Sequence, residues 1–256
     1  MEDLRGKVAV VTGASAGIGA GIAKEFLKRG MTVVGMARRK NKVEDLSNQI
    51  SNSDGVLYAL EVDVTVEDQI LKAFQWIQDN VGAIHVLVNS AGVYRDILLI
   101  HSEGKVWKEI LNTNVMGLCI ATREAVKNMQ LNQVSGHIVH INSLAGHEVT
   151  SLLNMGMYAA TKHAVTALTE TLRQELLLVG SKIKVTSVSP ALVKSDMLRS
   201  TIEAGGLNPT DEQIEIYYSE NAHLEVDDVI DSVVFAIATP PHVHVQEVIM
   251  SATDAL

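Results

Sequence analysis

Val8-Ala9-Val10-Val11 runs straight into Thr12-Gly13-Ala14-Ser15-Ala16-Gly17-Ile18-Gly19, and a helical pattern follows over 17–29. A short β-branched strand, a glycine turn and a helix in immediate succession open a βαβ unit of the dinucleotide-binding kind. The glycines fall as G-x-x-x-G-x-G, a relative of the usual fingerprint rather than its common spacing. The physical need is the same. Gly13 permits a tight turn, Gly17 lets backbone approach a pyrophosphate, and Gly19 lets the helix pack close on the sheet. With Ser15, Ala16 and Ile18 these residues form the expected phosphate-facing segment, where helix N–H groups and the positive dipole end favour an anion.

Outward from this turn, short apolar runs alternate with longer helical patterns. Strands are expected at Val8–Val11, Thr32–Met36, Val56–Val62, Ile84–Asn89, His137–Asn142, Ile183–Ser189 and Val245–Met250. Helices are expected near 17–29, 42–52, 66–80, 104–130, 157–180 and 226–238. The alternation predicts one α/β domain over 1–256, a doubly wound parallel sheet of seven strands with helices on both faces. The least regular stretch, 194–225, carries Gly205-Gly206, Pro209 and Tyr217-Tyr218. It reads as a substrate lid or as an inert excursion.

The end of the second strand bears on which dinucleotide is bound. An NAD site offers a carboxylate about 20 residues past the glycines for the ribose 2′-OH. Here the chain reads Gly35-Met36-Ala37-Arg38-Arg39-Lys40, with no carboxylate. Guanidinium groups pair bidentately with a phosphate, so Arg38 and Arg39 suit NADP(H), the alternative being a solvated strand exit. After the third strand, Asp63-Val64 is placed to meet the adenine. After the fourth, the small residues Asn89-Ser90-Ala91-Gly92 let backbone lie against a ribose.

The fifth strand delivers Ser143 at its carboxyl end; Tyr158 follows fifteen residues later and Lys162 four after that. On a helix, positions i and i+4 share a face, so phenol and ammonium are neighbours. A carbonyl that takes a hydride needs a proton, and the reverse reaction needs a base. Tyrosine is ordinarily too weak an acid for either task. A nearby Lys162 ammonium, together with the positive oxidised nicotinamide, is expected to lower the phenol's pKa, and Ser143 to hold the substrate oxygen. Tyr-x-x-x-Lys alone means little; the strand-end serine and the dinucleotide turn give it a place.

Taken together, Thr12–Gly19, Asp63, Asn89–Gly92, Asn114, Ser143, Tyr158, Lys162 and Pro190 resemble the short-chain dehydrogenase/reductase family over essentially the whole chain. The resemblance implies that Asn114 holds a water relaying protons from Lys162. It also implies that Tyr158 and Lys162 contact the cofactor, Lys162 through the nicotinamide ribose, and that Pro190–Ser195, with Val193, covers the nicotinamide. The stretches Val33–Arg39, Gly136–Ser143 and Lys162–Glu170 are similar to insect NADP-dependent farnesol dehydrogenases and to the related animal branch that reduces keto-steroids. The implied activity is hydride transfer between NADP(H) and an alcohol or carbonyl of a lipophilic substrate. Implied partners are that small molecule and further copies of the chain, as a homodimer or homotetramer. Three departures stand out: Ser90 replaces the family's second Asn, Ala191 replaces the Gly after Pro190, and the Ser143–Tyr158 gap is two residues longer than is commonest.

Composition narrows the rest. The 256 residues carry a formal net charge of −9 and one cysteine, Cys119. That charge argues against nucleic acid and anionic membranes as main partners, and one cysteine excludes an internal disulfide framework. Met1–Arg5 does not read as a signal peptide, and no stretch is apolar enough to span a membrane, so the cytoplasm is the expected location. Among nine histidines no metal set is apparent, and none is expected: His137 and His140 fall on opposite sides of a strand. His147 either contacts substrate or stands in water. Leu152, Leu153, Met155, Met157, Met197, Leu198, Ile202 and Leu207 either line an apolar pocket or belong to core and subunit contacts, with Met155 and Met197 the chosen substrate residues. Two other functions fit the same motifs: a cofactor-binding regulatory protein without turnover, and an epimerase or dehydratase.

Overall fold

The computed structural model describes residues 3–50, 54–149 and 154–254. Seven strands form one all-parallel sheet in the order β3-β2-β1-β4-β5-β6-β7. They are β1 (Val8–Thr12), β2 (Thr32–Ala37), β3 (Val56–Glu61), β4 (Val86–Asn89), β5 (His137–Ile141), β6 (Lys184–Pro190) and β7 (Glu247–Met250). Strands β1, β4 and β5 are buried at every position, whereas the edge strands β3 and β7 alternate with solvent. That is how a parallel sheet covered on both faces must read.

Along β1 the two faces separate cleanly. Ala9 and Val11 pack with α1 (Gly17–Lys28), α2 (Lys40–Asn48) and α9 (Val226–Ile237), through Ile22, Phe26, Val43 and Val233. Val10 packs on the other face with α3 (Glu67–Asn80), α5 (Leu118–Leu131) and the C-terminal end of α6 (Gly156–Leu178), through Phe74, Ile77, Ala125 and Leu176. The strand order reverses between β2-β1 and β4-β5, which opens a crevice beyond the carboxyl ends of β1 and β4.

Two predicted features differ. The helix expected over 104–130 is broken into α4 (Gly104–Leu111), a π-helical turn at Asn112–Gly117, and α5. Close approach accompanies the break, for a Cβ on Gly117 would lie 2.7 Å from the Val64 carbonyl oxygen. The stretch 194–225 holds α7 (Asp196–Ala204) and α8 (Asp211–Glu220), the second opened by a Thr210–Gln213 capping box. Among the described residues no helix is long and apolar enough to cross a membrane. Leu152 and Leu153 lie outside the described residues.

Candidate active site

The glycine turn leaves β1 in a conformation that side chains resist. Gly13 has φ +70, and a Cβ there would sit 2.8 Å from the Ala91 backbone; a Cβ on Gly19 would sit 2.5 Å from the Gly13 carbonyl oxygen. Turn, helix α1 and the loop after β4 are therefore pressed together, as a cradle for a phosphate requires. Thr12 fastens the loop: its hydroxyl accepts from the N–H groups of Ser90 and Ala91 at 3.1 and 3.2 Å. Ala16 precedes α1 without a side-chain cap, and no acidic residue lies in the helix's first turn. The Gly17 N–H instead donates to Asp196 Oδ2, from α7, at 2.9 Å.

The other expected cofactor residues stand at or beyond the carboxyl ends of β2, β3, β4 and β6. Arg39 donates to Ser15 Oγ at 3.3 Å, and Arg38 is exposed where β2 ends. Ile18 and Val193 pack against the α1-side core. Asp63 Oδ1 accepts from the Thr65 N–H and hydroxyl at 2.9 and 2.7 Å, which fixes the carboxylate in its own turn. Val64 meets Gly117. Asn89 is buried, donating to Thr122 Oγ1 at 2.8 Å, while its Oδ1 finds no partner. A Cβ on Gly92 would lie 3.6 Å from Asn114 Oδ1. Pro190 closes β6, and Ser195 caps α7 by accepting from the Met197 N–H. The donors, the glycine cradle and the basic strand exit fit a dinucleotide phosphate.

Asn114 sits in the π turn, a distortion that recurs at functional sites. Its Oδ1 accepts from the Val93 N–H at 2.8 Å; its Nδ2 donates to the Val93 carbonyl at 2.9 Å and to Thr161 Oγ1 at 3.1 Å. The whole amide thus ties the β4 loop to α6.

Ser143, Tyr158 and Lys162 do come together. Ser143 leaves β5 and hydrogen-bonds Tyr158, while its Oγ accepts from the Ala145 N–H at 3.2 Å. Tyr158 and Lys162 are buried on α6, with Nζ 5.6 Å from the phenol ring centroid and donating to the Ile141 carbonyl at 2.8 Å. Burial pushes the Tyr158 phenol up to about 12, against a smaller downward pull from the Ser143 hydrogen bond. Burial also brings Lys162 down to about 8. Desolvation sets both groups, favouring the neutral phenol and the neutral amine.

The expected substrate residues divide. Met155 packs against Tyr158 and Ala145, whereas Met197 lies half-buried in the first turn of α7. His147 is committed elsewhere: its Nε2 lies 2.8 Å from Glu247 Oε1 and 3.1 Å from Ser189 Oγ. A cavity of about 300 Å³ lined by Asp96, Ile97, Leu98, His101, Ser102 and Asn154 adjoins the Met155 side. Two neighbours escaped the sequence reading. Tyr94 stacks edge-to-face on Tyr158 at 5.4 Å between centroids, and its carbonyl accepts from Thr201 Oγ1 of α7 at 3.1 Å. An aromatic two residues past the Asn89–Gly92 motif was the available signal. Asp196 offered none. His137 and His140 bind different hydroxyls, Thr186 for the first and Thr122 with Thr169 for the second. Among the described residues no group of three His, Cys, Asp or Glu could hold a metal ion.

Comparison with known proteins agrees with this geometry. The model of the short chain dehydrogenase family matches residues 7–205. The chain is 43% identical over 249 residues to a farnesol dehydrogenase of Aedes aegypti, covering 96% of each. It is 37% identical over 258 residues to dehydrogenase/reductase SDR family member 11 of Bos taurus, covering 99% of each. Among solved structures, a serine dehydrogenase complexed with NADP+ superposes with a TM-score of 0.81 at 26% identity, over 95% of this chain and 94% of that one. With its glycine turn, its seven-stranded sheet and its gathered serine, tyrosine and lysine, this chain belongs to the short-chain dehydrogenase family of oxidoreductases.

Proposed function

We propose that this oxidoreductase is NADP(H)-dependent and interconverts an alcohol and a carbonyl on a lipophilic substrate such as a terpenoid alcohol or a keto-steroid. The observation that carries the reading is the convergence of Ser143, Tyr158 and Lys162 at the same, carboxyl end of the sheet as the Gly13–Gly19 turn. When bound, the dinucleotide supplies or accepts the hydride; everything else falls to the chain. Tyr158 gives its proton to the substrate oxygen in reduction and takes it back in oxidation. Ser143 holds that oxygen by a hydrogen bond, and the Lys162 ammonium holds the ribose and eases loss of the phenolic proton. Asn114 keeps the β4 loop against α6 and orders a water on the way to Lys162.

Arg38 and Arg39 bind the 2′-phosphate. Gly13, Ser15, Ala16, Gly17, Ile18 and Gly19 hold the pyrophosphate, and Asp63 with Val64 meets the adenine. Asn89, Ser90, Ala91 and Gly92 pass along the ribose; Pro190, Val193 and Ser195 cover the nicotinamide. Met155, Met197 and Tyr94 supply flexible and aromatic walls suited to an elongated apolar molecule, under a lid formed by α7 and α8. The exposed Leu111, Met116 and Leu131 support pairing of copies along the α4–α5 face.

A screen of farnesol, geraniol, retinal and keto-steroids with NADP(H) and NAD(H), with products identified, tests the proposal. Turnover of at least one such substrate, faster with NADP(H), is expected. Turnover only with small polar substrates, or preference for NAD(H), would overturn it.

A further inference from the structure

The Gly17 N–H at the start of α1 donates to the carboxylate of Asp196, a residue 179 positions away, at 2.9 Å. Asp196 is the first residue of α7, so the N-terminal ends of two helices meet at one carboxylate. Both ends carry partial positive charge, and α1 brings no acid of its own to its first turn. A pyrophosphate seeks this same N–H and this same dipole end. One N–H cannot serve both acceptors, and two anions side by side repel.

We propose that Asp196 is an internal competitor for the phosphate site and the residue that sets dinucleotide affinity. Binding a dinucleotide requires the carboxylate to leave Gly17, and α7 shifts with it. The inference rests on the reading of the chain as a dinucleotide-dependent oxidoreductase. Asp196 is solvent-exposed and borders a cavity of about 280 Å³ lined also by Gly17, Lys194, Arg199 and Tyr218, so the carboxylate has room to move. The basic side chains there are already held by α8: Lys194 by Glu215 at 2.6 Å and Arg199 by Asp211 at 2.5 Å. The Tyr218 hydroxyl lies 3.3 Å from the Ser195 N–H. Helices α7 and α8 therefore move as one unit when Asp196 is displaced, and the lid's position reports on the phosphate site.

The test is equilibrium binding by calorimetry, with NADPH and with adenosine 2′-monophosphate as probes. The second probe carries the phosphate meant for Arg38 and Arg39 but none for Gly17. Asp196→Asn removes the charge and keeps the shape; Asp196→Ala removes the acceptor as well. Both are expected to bind NADPH about two- to fivefold more tightly than the wild type, by the usual strength of an exposed charge at a helix end. The affinity for adenosine 2′-monophosphate stays the same. Unchanged or weaker NADPH binding in both variants, at an unchanged melting temperature, would overturn the proposal. Equal tightening of the two probes would overturn it too, by reducing the effect to overall charge. A wild type that binds no dinucleotide at all would instead overturn the oxidoreductase's cofactor reading.

Discussion

His140 Nδ1 lies 2.9 Å from Thr169 Oγ1, and that hydroxyl donates onward to the Val165 carbonyl at 2.7 Å. The hydroxyl proton is committed, so the imidazole donates through Nδ1, and burial favours its neutral form. Its Nε2 is left to accept from Thr122, which in turn accepts from Asn89 Nδ2. One directed chain of hydrogen bonds thus joins β4, α5, β5 and α6, the helix that carries Lys162 two turns earlier.

That chain makes the fold acid-sensitive. Burial, with Lys162 adding to it, brings His140 down to about 3; burial, then Lys184 and His244, do the same for His137. The unfolded chain binds these protons near pH 6.5 and the folded chain does not. Stability is therefore complete above that pH and is lost as pH falls from about 6.5 toward 3, by up to about 1.4 kcal/mol per pH unit for each histidine. Urea unfolding between pH 7.5 and 5 checks this. His140→Gln should flatten the slope by about one proton, and an unchanged slope would refute the assignment.

Lys162 predicts the alkaline side of catalysis. With its ammonium brought down to about 8 and Tyr158 held up at about 12, the protonated pair persists at neutral pH. For reduction, kcat/KM should be level near pH 7 and fall above about 8 as Lys162 loses its charge. A profile level up to pH 10 would contradict this.

Arg39 and Arg38 predict cofactor choice. Arg39→Ala combined with Arg38→Asp should raise the Kd for NADPH about ten- to a hundred-fold, the usual worth of charge-assisted bonds, with NADH changed less than about threefold. Titration by nucleotide fluorescence reads both. Equal losses would show that the arginines do not see the 2′-phosphate.

Asn114→Ala tests the tie between the β4 loop and α6. It leaves the Val93 N–H and carbonyl without their side-chain partner, at a cost of about 1–3 kcal/mol in urea unfolding. Activity should fall beyond what the remaining folded fraction explains. Asn114→Asp should restore less than half of it, because a carboxylate cannot donate to the Val93 carbonyl.

The strands and the Ser143–Tyr158–Lys162 cluster were legible because their signals are local. Val8–Val11 reads as an unbroken apolar run and His137–Ile141 as a β-branched run holding two histidines; both strands are buried throughout, and Ser143 follows directly from where β5 ends. What stayed hidden depends on distant parts of the chain. The π turn at Asn112–Gly117 keeps a helical pattern in sequence and is betrayed only by its contact with Val64. Helices α7 and α8 are short and each buries a single residue, Thr201 and Tyr218, so their apolar periodicity is weak. The meeting of Gly17 with Asp196 has no sequence pattern at all. The depth of the pair was hidden as well, because the i, i+4 spacing shows that Tyr158 and Lys162 are neighbours but not that both are buried.

The most direct measurement is single-turnover hydride transfer from NADPH to a reducible carbonyl, comparing wild type with Tyr158→Phe. Tyr158 as the proton donor predicts a transfer at least about a hundred-fold slower in the variant, the lower range for loss of a general acid, with the Kd for NADPH held within about twofold. Transfer within about tenfold of the wild-type rate, at the same NADPH affinity, would contradict the account.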